Sequence, residues 1–485
     1  MPPTKPTAKP TAKPKARAGP RSDRPRSQAN ARSRPSTAGR ASQGRPPERL
    51  SLLAELLCRL STFSAPMDSL LSQALKDQTR LSTSSRFFLA ESAYLAVRRW
   101  SALVQVLSDA GITLEAEQPA STGWRRMALL AASLAVGYDR IVSELTQGEQ
   151  AWCQLALQAY ESLPPTAAQS LPDWIWQSWT AEFGVDQAGE LAQACLQTAC
   201  LDLRVNRTQA TVKATVQSLA AAGLAVQVLP ILPGALRLEG RPALASLPSF
   251  QQGWFEVQDT GSQLLVRLLN PGRGEFVVDF CAGAGGKTLA MGDLMRNTGR
   301  LYAFDTAVNR LARLKPRLAR SGLSNVWPVA IAHERDDRVK RLRGKAQAVL
   351  VDAPCSGLGT LRRNPDLKWR QTPQTLAQLV ETQRRILAAA AQLCAPGGRL
   401  VYATCSVDRR ENEDQVTWFL QNHPDFERQS ARLALAAAGV ELPGDWQAFT
   451  ENDELRLLPH RSNTDGFFGV LLTKKDPQSA NPVGK

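Results

Sequence analysis

Chemistry in this sequence concentrates at the ends of two apolar runs. In "LVYATCSVDRRENE", residues 400–413, an apolar, β-branched stretch closes on Cys405 and then turns charged. In "AQAVLVDAPCSGLGTLRRNPDLKW" a similar stretch closes on Asp352, Ala353, Pro354 and Cys355. Buried parallel strands read as continuous apolar runs, and their carboxyl ends open on the crevice in which α/β folds bind ligands. An acid and a thiol at such an end, with a rigid Pro between them and glycines after, make a poor core pattern and a good crevice pattern. Two thiols on two strand ends can face one pocket. An ionised thiol is a nucleophile, and Lys287 is a candidate for the positive charge that favours a Cys405 thiolate.

A third chemical stretch is "FVVDFCAGAGGKTLAM", in which Phe276 to Val278 read as strand, Asp279 follows, and Gly283, Gly285 and Gly286 lead into a helix from about Lys287. Glycines let the backbone approach a ligand, and a helix amino end favours negative or polar groups. A dinucleotide fingerprint would need Gly at Thr288, and a P-loop would need Gly at Cys281. Asp305 ends the next strand 19 residues beyond Gly286, near the offset at which an acid accepts from ribose hydroxyls. S-adenosylmethionine, with a ribose and no phosphate, fits this pair better than NAD or ATP.

These groups must be held by an alternation of strand, turn and helix, which from about Phe250 onward predicts an α/β fold with a doubly wound parallel sheet. Residues 49–199 carry apolar side chains at three- and four-residue spacing and predict an all-helical domain. Residues 200–250 read as a small α+β module, strand, helix from Thr208, strand, with Asn206 or Thr208 as cap and Gly223 as stop. Residues 251–474 form the α/β domain and 475–485 a tail. The net charge of +15 is uneven, since residues 1–50 hold 13 Lys or Arg against Asp23 and Glu48. Residues 1–48, rich in Pro, Ala, Lys and Arg, predict a disordered basic arm, able to bind phosphate backbones or merely to solubilise. Eight cysteines without a CxxC pair and only three histidines argue against structural zinc. No signal peptide or membrane span is read, which predicts a cytoplasmic protein.

"DAPCSGLGTLRRNPDLKW", "GGRLVYATCSVDRRENE", "VVDFCAGAGGKT" and "FQQGWFEVQDTGSQL" together resemble the Sun (Fmu), Nop2 and NSUN family of RNA cytosine-C5 methyltransferases, nearest the bacterial enzymes that modify small-subunit ribosomal RNA. The resemblance covers roughly residues 200–474. It implies a Rossmann-like methyltransferase domain in which Cys281, Ala282, Gly283, Ala284, Gly285, Gly286 and Lys287 line the cofactor, S-adenosylmethionine, with Asp305 on its ribose. It implies Asp352 between cofactor and base, Cys405 as nucleophile, and Cys355 as the residue that releases the product. The chemistry accounts for such an arrangement. Cytosine C5 is a weak nucleophile, but a thiolate added to C6 makes it enamine-like, and a second group must then remove the C5 proton. Asp352 can hydrogen-bond N3 and the exocyclic amine.

Other expectations are local. Arg362, Arg363 and Trp369 either bind phosphate and a base or pack structurally. Asp259, with Gln258, either buttresses the site or caps a helix. Relatives carry an adenine-contacting acid before the PCS strand; here Asp336 in "HERDDRV" matches it by type, whereas spacing places His333 nearer. The helical domain resembles a NusB-like RNA-binding domain. The expected partner is RNA, small-subunit 16S rRNA first, with tRNA or DNA and a non-catalytic ribosome-assembly factor as alternatives. A thiol pair with Asp352 favours the enzyme, because RNA binding alone needs neither.

Overall fold

The computed structural model describes residues 48–78 and 81–477; the expected basic arm, apart from Glu48, and residues 478–485 lie outside them. Helices run from Arg49–Leu60 to Val185–Cys195. In the first, Leu50, Leu53, Leu57 and Leu60 recur at helical spacing and are all at most 2% exposed, so one face enters a core shared with Val97, Met127 and Leu130. A capping box between Thr146 and Glu149 starts the Gln147–Glu161 helix. The helices Asp173–Phe183 and Val185–Cys195 instead pack Ile175, Trp179 and Leu191 against Leu358, Leu361 and Val407, beside the two thiol turns.

A four-stranded antiparallel sheet follows, built from β1 (Leu201–Val205), β2 (Val226–Val228), β3 (Ala235–Leu238) and β4 (Phe255–Val257) in the order β2-β3-β1-β4. Its helix spans Val212–Ala221 and is capped by Thr211, whose hydroxyl accepts from Ala214 N at 3.1 Å. The expected start at Thr208 is therefore corrected. Asn206 is diverted to tertiary contacts, its amide donating to Gly253 O at 2.9 Å and Ser321 O at 3.0 Å, and Thr208 N donates to Asp293 at 3.1 Å.

The second sheet has eight strands: β5 (Phe276–Asp279), β6 (Arg300–Asp305), β7 (Val326–Ala330), β8 (Ala346–Asp352), β9 (Cys394–Thr404), β10 (Phe426–Gln429), β11 (Glu454–Leu457) and β12 (Phe467–Lys474). The order is β10-β12-β9-β8-β5-β6-β7, with β11 also on β12. Strands β5 to β9 pair in parallel, and β12 pairs antiparallel with β9, β10 and β11. Successive residues feed opposite cores. Leu350 and Val401 point to one side, Val349, Val351, Leu400 and Tyr402 to the other. Burial on both faces is why these strands carry unbroken apolar runs. The parallel register aligns their carboxyl ends, Asp279 beside Leu350 and Asp352 beside Ala403. Asp279, Asp305, Asp352 and Cys405 consequently stand along one edge.

Candidate active site

At that edge the Cys355 and Cys405 sulfurs lie 3.4 Å apart. The Cys355 thiol is pushed well above its ordinary range, first by its hydrogen bond to Cys405 and then by burial. Lys287, one residue into the helix that follows the glycine turn, places Nζ 2.8 Å from Asp352 Oδ2 and 5.6 Å from the Phe467 ring centre. Burial pulls the ammonium down, but the Asp352 carboxylate and the Cys405 charge outweigh it and hold Lys287 above its usual value. The cation, the acid and the two thiols form one electrostatic unit.

Two turns hold the thiols, and a buried network laces them together. Glu411, inaccessible to solvent, accepts from Ser356 N at 2.8 Å, from the Ser356 hydroxyl and from Gln383 Nε2 at 3.0 Å. Burial raises its carboxyl. The Ser356 and Ser406 hydroxyls meet at 3.2 Å, and Asn412 Nδ2 donates to Ser406 O at 3.1 Å. Gly359 donates to Cys405 O at 3.0 Å and accepts from Gly466 N at 2.7 Å, and a Cβ there would stand 2.2 Å from Gly466 O. Only glycine allows so close an approach. Sequence reading missed Glu411, Asn412 and Gly466; the signal was an acid and an amide in "DRRENE" directly after the thiol turn.

On the cofactor side, Asp305 is buried and accepts from Gly283 N at 2.7 Å and Ala307 N at 2.6 Å, which ties the glycine turn to the next strand. Gly285 adopts a positive φ of 85°, and a Cβ on Gly286 would meet nothing within 4 Å, so space lies open beside the turn. Asp279 accepts from the Thr288 hydroxyl at 2.6 Å, while its buried Oδ1 has no partner among the described residues. Burial, opposed by Thr288 and reinforced by Asp352, lifts this carboxyl to about 7. Burial likewise raises Cys281, with Asp279, Asp352 and Asp305 adding to it. An open backbone cradle flanked by acids fits a cationic, ribose-bearing cofactor.

The remaining expected residues have other partners. Asp336 caps its own turn, accepting from Ala332 N at 3.0 Å and Arg338 N at 2.9 Å, and its bond to Arg338 holds the carboxyl low. His333 Nδ1 accepts from Arg335 N. Of the two readings open for Arg362, Arg363 and Trp369, the structure gives the packing one. Arg362 is 5% exposed and donates to Thr198 O and Asn463; Arg363 bridges Asp259 at 2.8 Å and Asp465 at 2.6 Å; Trp369 donates to Val97 O at 2.7 Å and stacks on Phe63. The segment after Cys355 is a wedge between the helical and α/β parts, so its polar side chains serve that joint. Asp259 both caps the Thr260–Leu269 helix and anchors Arg363.

A glycine turn at the end of the first parallel strand, an acid at the end of the second and a reactive cluster at the ends of the fourth and fifth define a Rossmann-like S-adenosylmethionine-dependent methyltransferase. The family described as 16S rRNA methyltransferase RsmB/F matches residues 266–473, and an RsmF/B-like ferredoxin-like domain matches 171–244. The probable ribosomal RNA small subunit methyltransferase B of Synechocystis is 37% identical over 308 residues, 63% of this chain and 67% of that protein. The probable enzyme of the same description from Bacillus subtilis is 34% identical over 306 residues, with the same shares. The crystal structure of PH0851 superposes with a TM-score of 0.69 at 26% identity, covering 89% of this chain and 99% of the other. The chain belongs to the RsmB/F family of rRNA methyltransferases.

Proposed function

We propose that the protein methylates C5 of a cytosine in small-subunit 16S rRNA, with Cys405 as covalent nucleophile and Cys355 as the base that frees the product. The observation that carries this reading is the pair of sulfurs 3.4 Å apart on neighbouring strand ends, beside the Lys287–Asp352 ion pair. S-adenosylmethionine, cradled by residues 281–287 with Asp305 toward its ribose, supplies a methyl group to a nucleophilic carbon. Every other step falls to the chain. Cys405 Sγ bonds to C6 of a base held out of its stack, which makes C5 nucleophilic. Lys287 occupies Asp352 Oδ2, and Oδ1, without a partner among the described residues, is left to accept from the exocyclic amine N–H and orient the base.

The same geometry times the second thiol. The largest influence raising Cys355 is its bond to Cys405. Once the Cys405 sulfur is bonded to C6 its influence on Cys355 is gone and burial and Glu411 remain; Cys355, after passing its proton to solvent, takes the C5 proton as the C6–S electron pair returns to Cys405.

The test uses purified wild type, Cys405→Ala and Cys355→Ala with labelled S-adenosylmethionine and unmodified small-subunit rRNA, read on denaturing gels for methylated RNA and for protein joined to RNA. Wild type methylates, Cys405→Ala gives neither product, and Cys355→Ala accumulates the adduct. An adduct that requires Cys355 instead reverses the assignment. Tight RNA binding without methylation of any substrate supports an assembly factor.

A further inference from the structure

We propose that a basic groove along the Pro373–Ala391 helix is a second contact for the RNA, one that grips phosphate backbone beyond the target nucleotide; this rests on the RNA-substrate reading above. The groove encloses about 670 Å³ and presents Arg335, Lys340, Arg343, Arg384 and Arg385. Of the acids lining the groove, Glu334 pairs with Arg385 at 3.4 Å and Glu381 with Arg384 at 2.9 Å. Arg335, Lys340 and Arg343 are exposed, and among the described residues the Arg335 and Arg343 guanidinium groups have no acid partner. Lys340 pairs with Asp337, which is 81% exposed, so water screens that contact heavily.

Two observations direct the groove toward nucleic acid. Trp418 lines it with Arg384 stacked over its ring at 5.4 Å, and a half-buried aromatic among cations suits a strand that alternates phosphate and base. The groove is also tied to the reactive turns. Gln383, the residue before Arg384, donates from its buried amide to Pro354 O at 3.0 Å and to Glu411. One side of the helix therefore braces the Cys355 turn while the adjoining side presents Arg384 and Arg385. From the Gln383 end the groove runs down the helix to Arg343 and Gln392, near the amino ends of β8 and β9, so it would be filled by phosphates several nucleotides from the target base. The extra grip matters because lifting a base from its stack consumes a few kcal/mol that must come from contacts elsewhere on the RNA.

The experiment compares wild type with Arg335→Glu/Lys340→Glu/Arg343→Glu, three exposed positions away from the reactive cluster. Unmodified small-subunit rRNA is the probe, by filter binding across a KCl series and by steady-state methylation. The inference expects RNA affinity to fall roughly 10–100-fold near 0.1 M salt and the log–log salt slope to lose about two to three units. KM for rRNA should rise accordingly with kcat unchanged, as expected for a contact used equally in ground and transition states. An unchanged melting curve and unchanged S-adenosylmethionine binding establish that the variant is folded. Wild-type affinity, slope and KM in a folded variant overturn the groove contact. If wild type binds rRNA but methylates none, the substrate reading fails, while loss of affinity in the variant still supports the groove.

Discussion

Lys368 is inside the protein, 2% exposed, at the joint between helical and α/β parts. Its Nζ donates to Arg98 O at 2.7 Å and Ser170 O at 2.6 Å, and its remaining N–H has the Trp369 ring at 5.0 Å. A neutral amine keeps both carbonyl bonds, so burial can drive the pKa down, to about 7. In the unfolded chain a lysine titrates near 10.4. Below pH 7 both states are charged; between 7 and 10 the unfolded state binds the extra proton, so stability rises with pH. From pH 7 to 9 the gain integrates to about 2 kcal/mol. Lys368→Met removes it and leaves two buried carbonyls unpaired at every pH, a penalty of roughly 1–3 kcal/mol each. Urea titrations at pH 7, 8 and 9 should therefore show the variant losing about 2 kcal/mol relative to wild type across that range. Parallel pH curves for the two proteins would refute a neutral-amine Lys368.

Lys287→Met leaves the Asp352 carboxylate without its cation, and single-turnover methyl transfer should fall roughly 100-fold; a rate within threefold of wild type removes Lys287 from the reactive unit. Gly359→Ala forces a methyl group onto Gly466 O and Cys405 O, so we expect a loss of about 1–3 kcal/mol in stability and a sharp fall in adduct yield, with S-adenosylmethionine affinity retained; normal adduct formation would show the turn is compliant.

The central parallel strands were legible because they are buried on both faces, which leaves an apolar run such as "AQAVLVD" with little alternation to misread. The placement of both thiols and Asp352 at one edge followed from those runs ending where they do. What sequence could not show was long-range partnership. Trp369 and Arg362 look like RNA contacts because an aromatic beside cations is ambiguous until Val97 O and Thr198 O are known to be their partners, 272 and 164 residues away. Asn206 has the side chain of a helix cap, and its Oδ1 accepts from Thr208 N at 3.3 Å, but this closes a local turn whose Nδ2 is tied to Gly253 and Ser321, and the helix starts only after Thr211. Glu411 was hidden because an acid in a charged turn ordinarily faces water, and only the folded turn reveals its three buried donors.

The joint around Asp366, Lys368 and Trp369 also orders events during synthesis. Met67 N reaches Asp366 Oδ2 across 299 residues, an interval of ~15–60 s at ribosomal rates of ~5–20 residues per second. The helical part can fold first and wait with its receptor carbonyls exposed to water. Strand β12 is threaded between β9 and β10 only after both have been made, and Gly466, at its start, closes on Gly359 beside Cys405. A nascent chain therefore carries both thiols before Gly466 has been made, and the Gly359–Gly466 clasp beside Cys405 closes only late in synthesis.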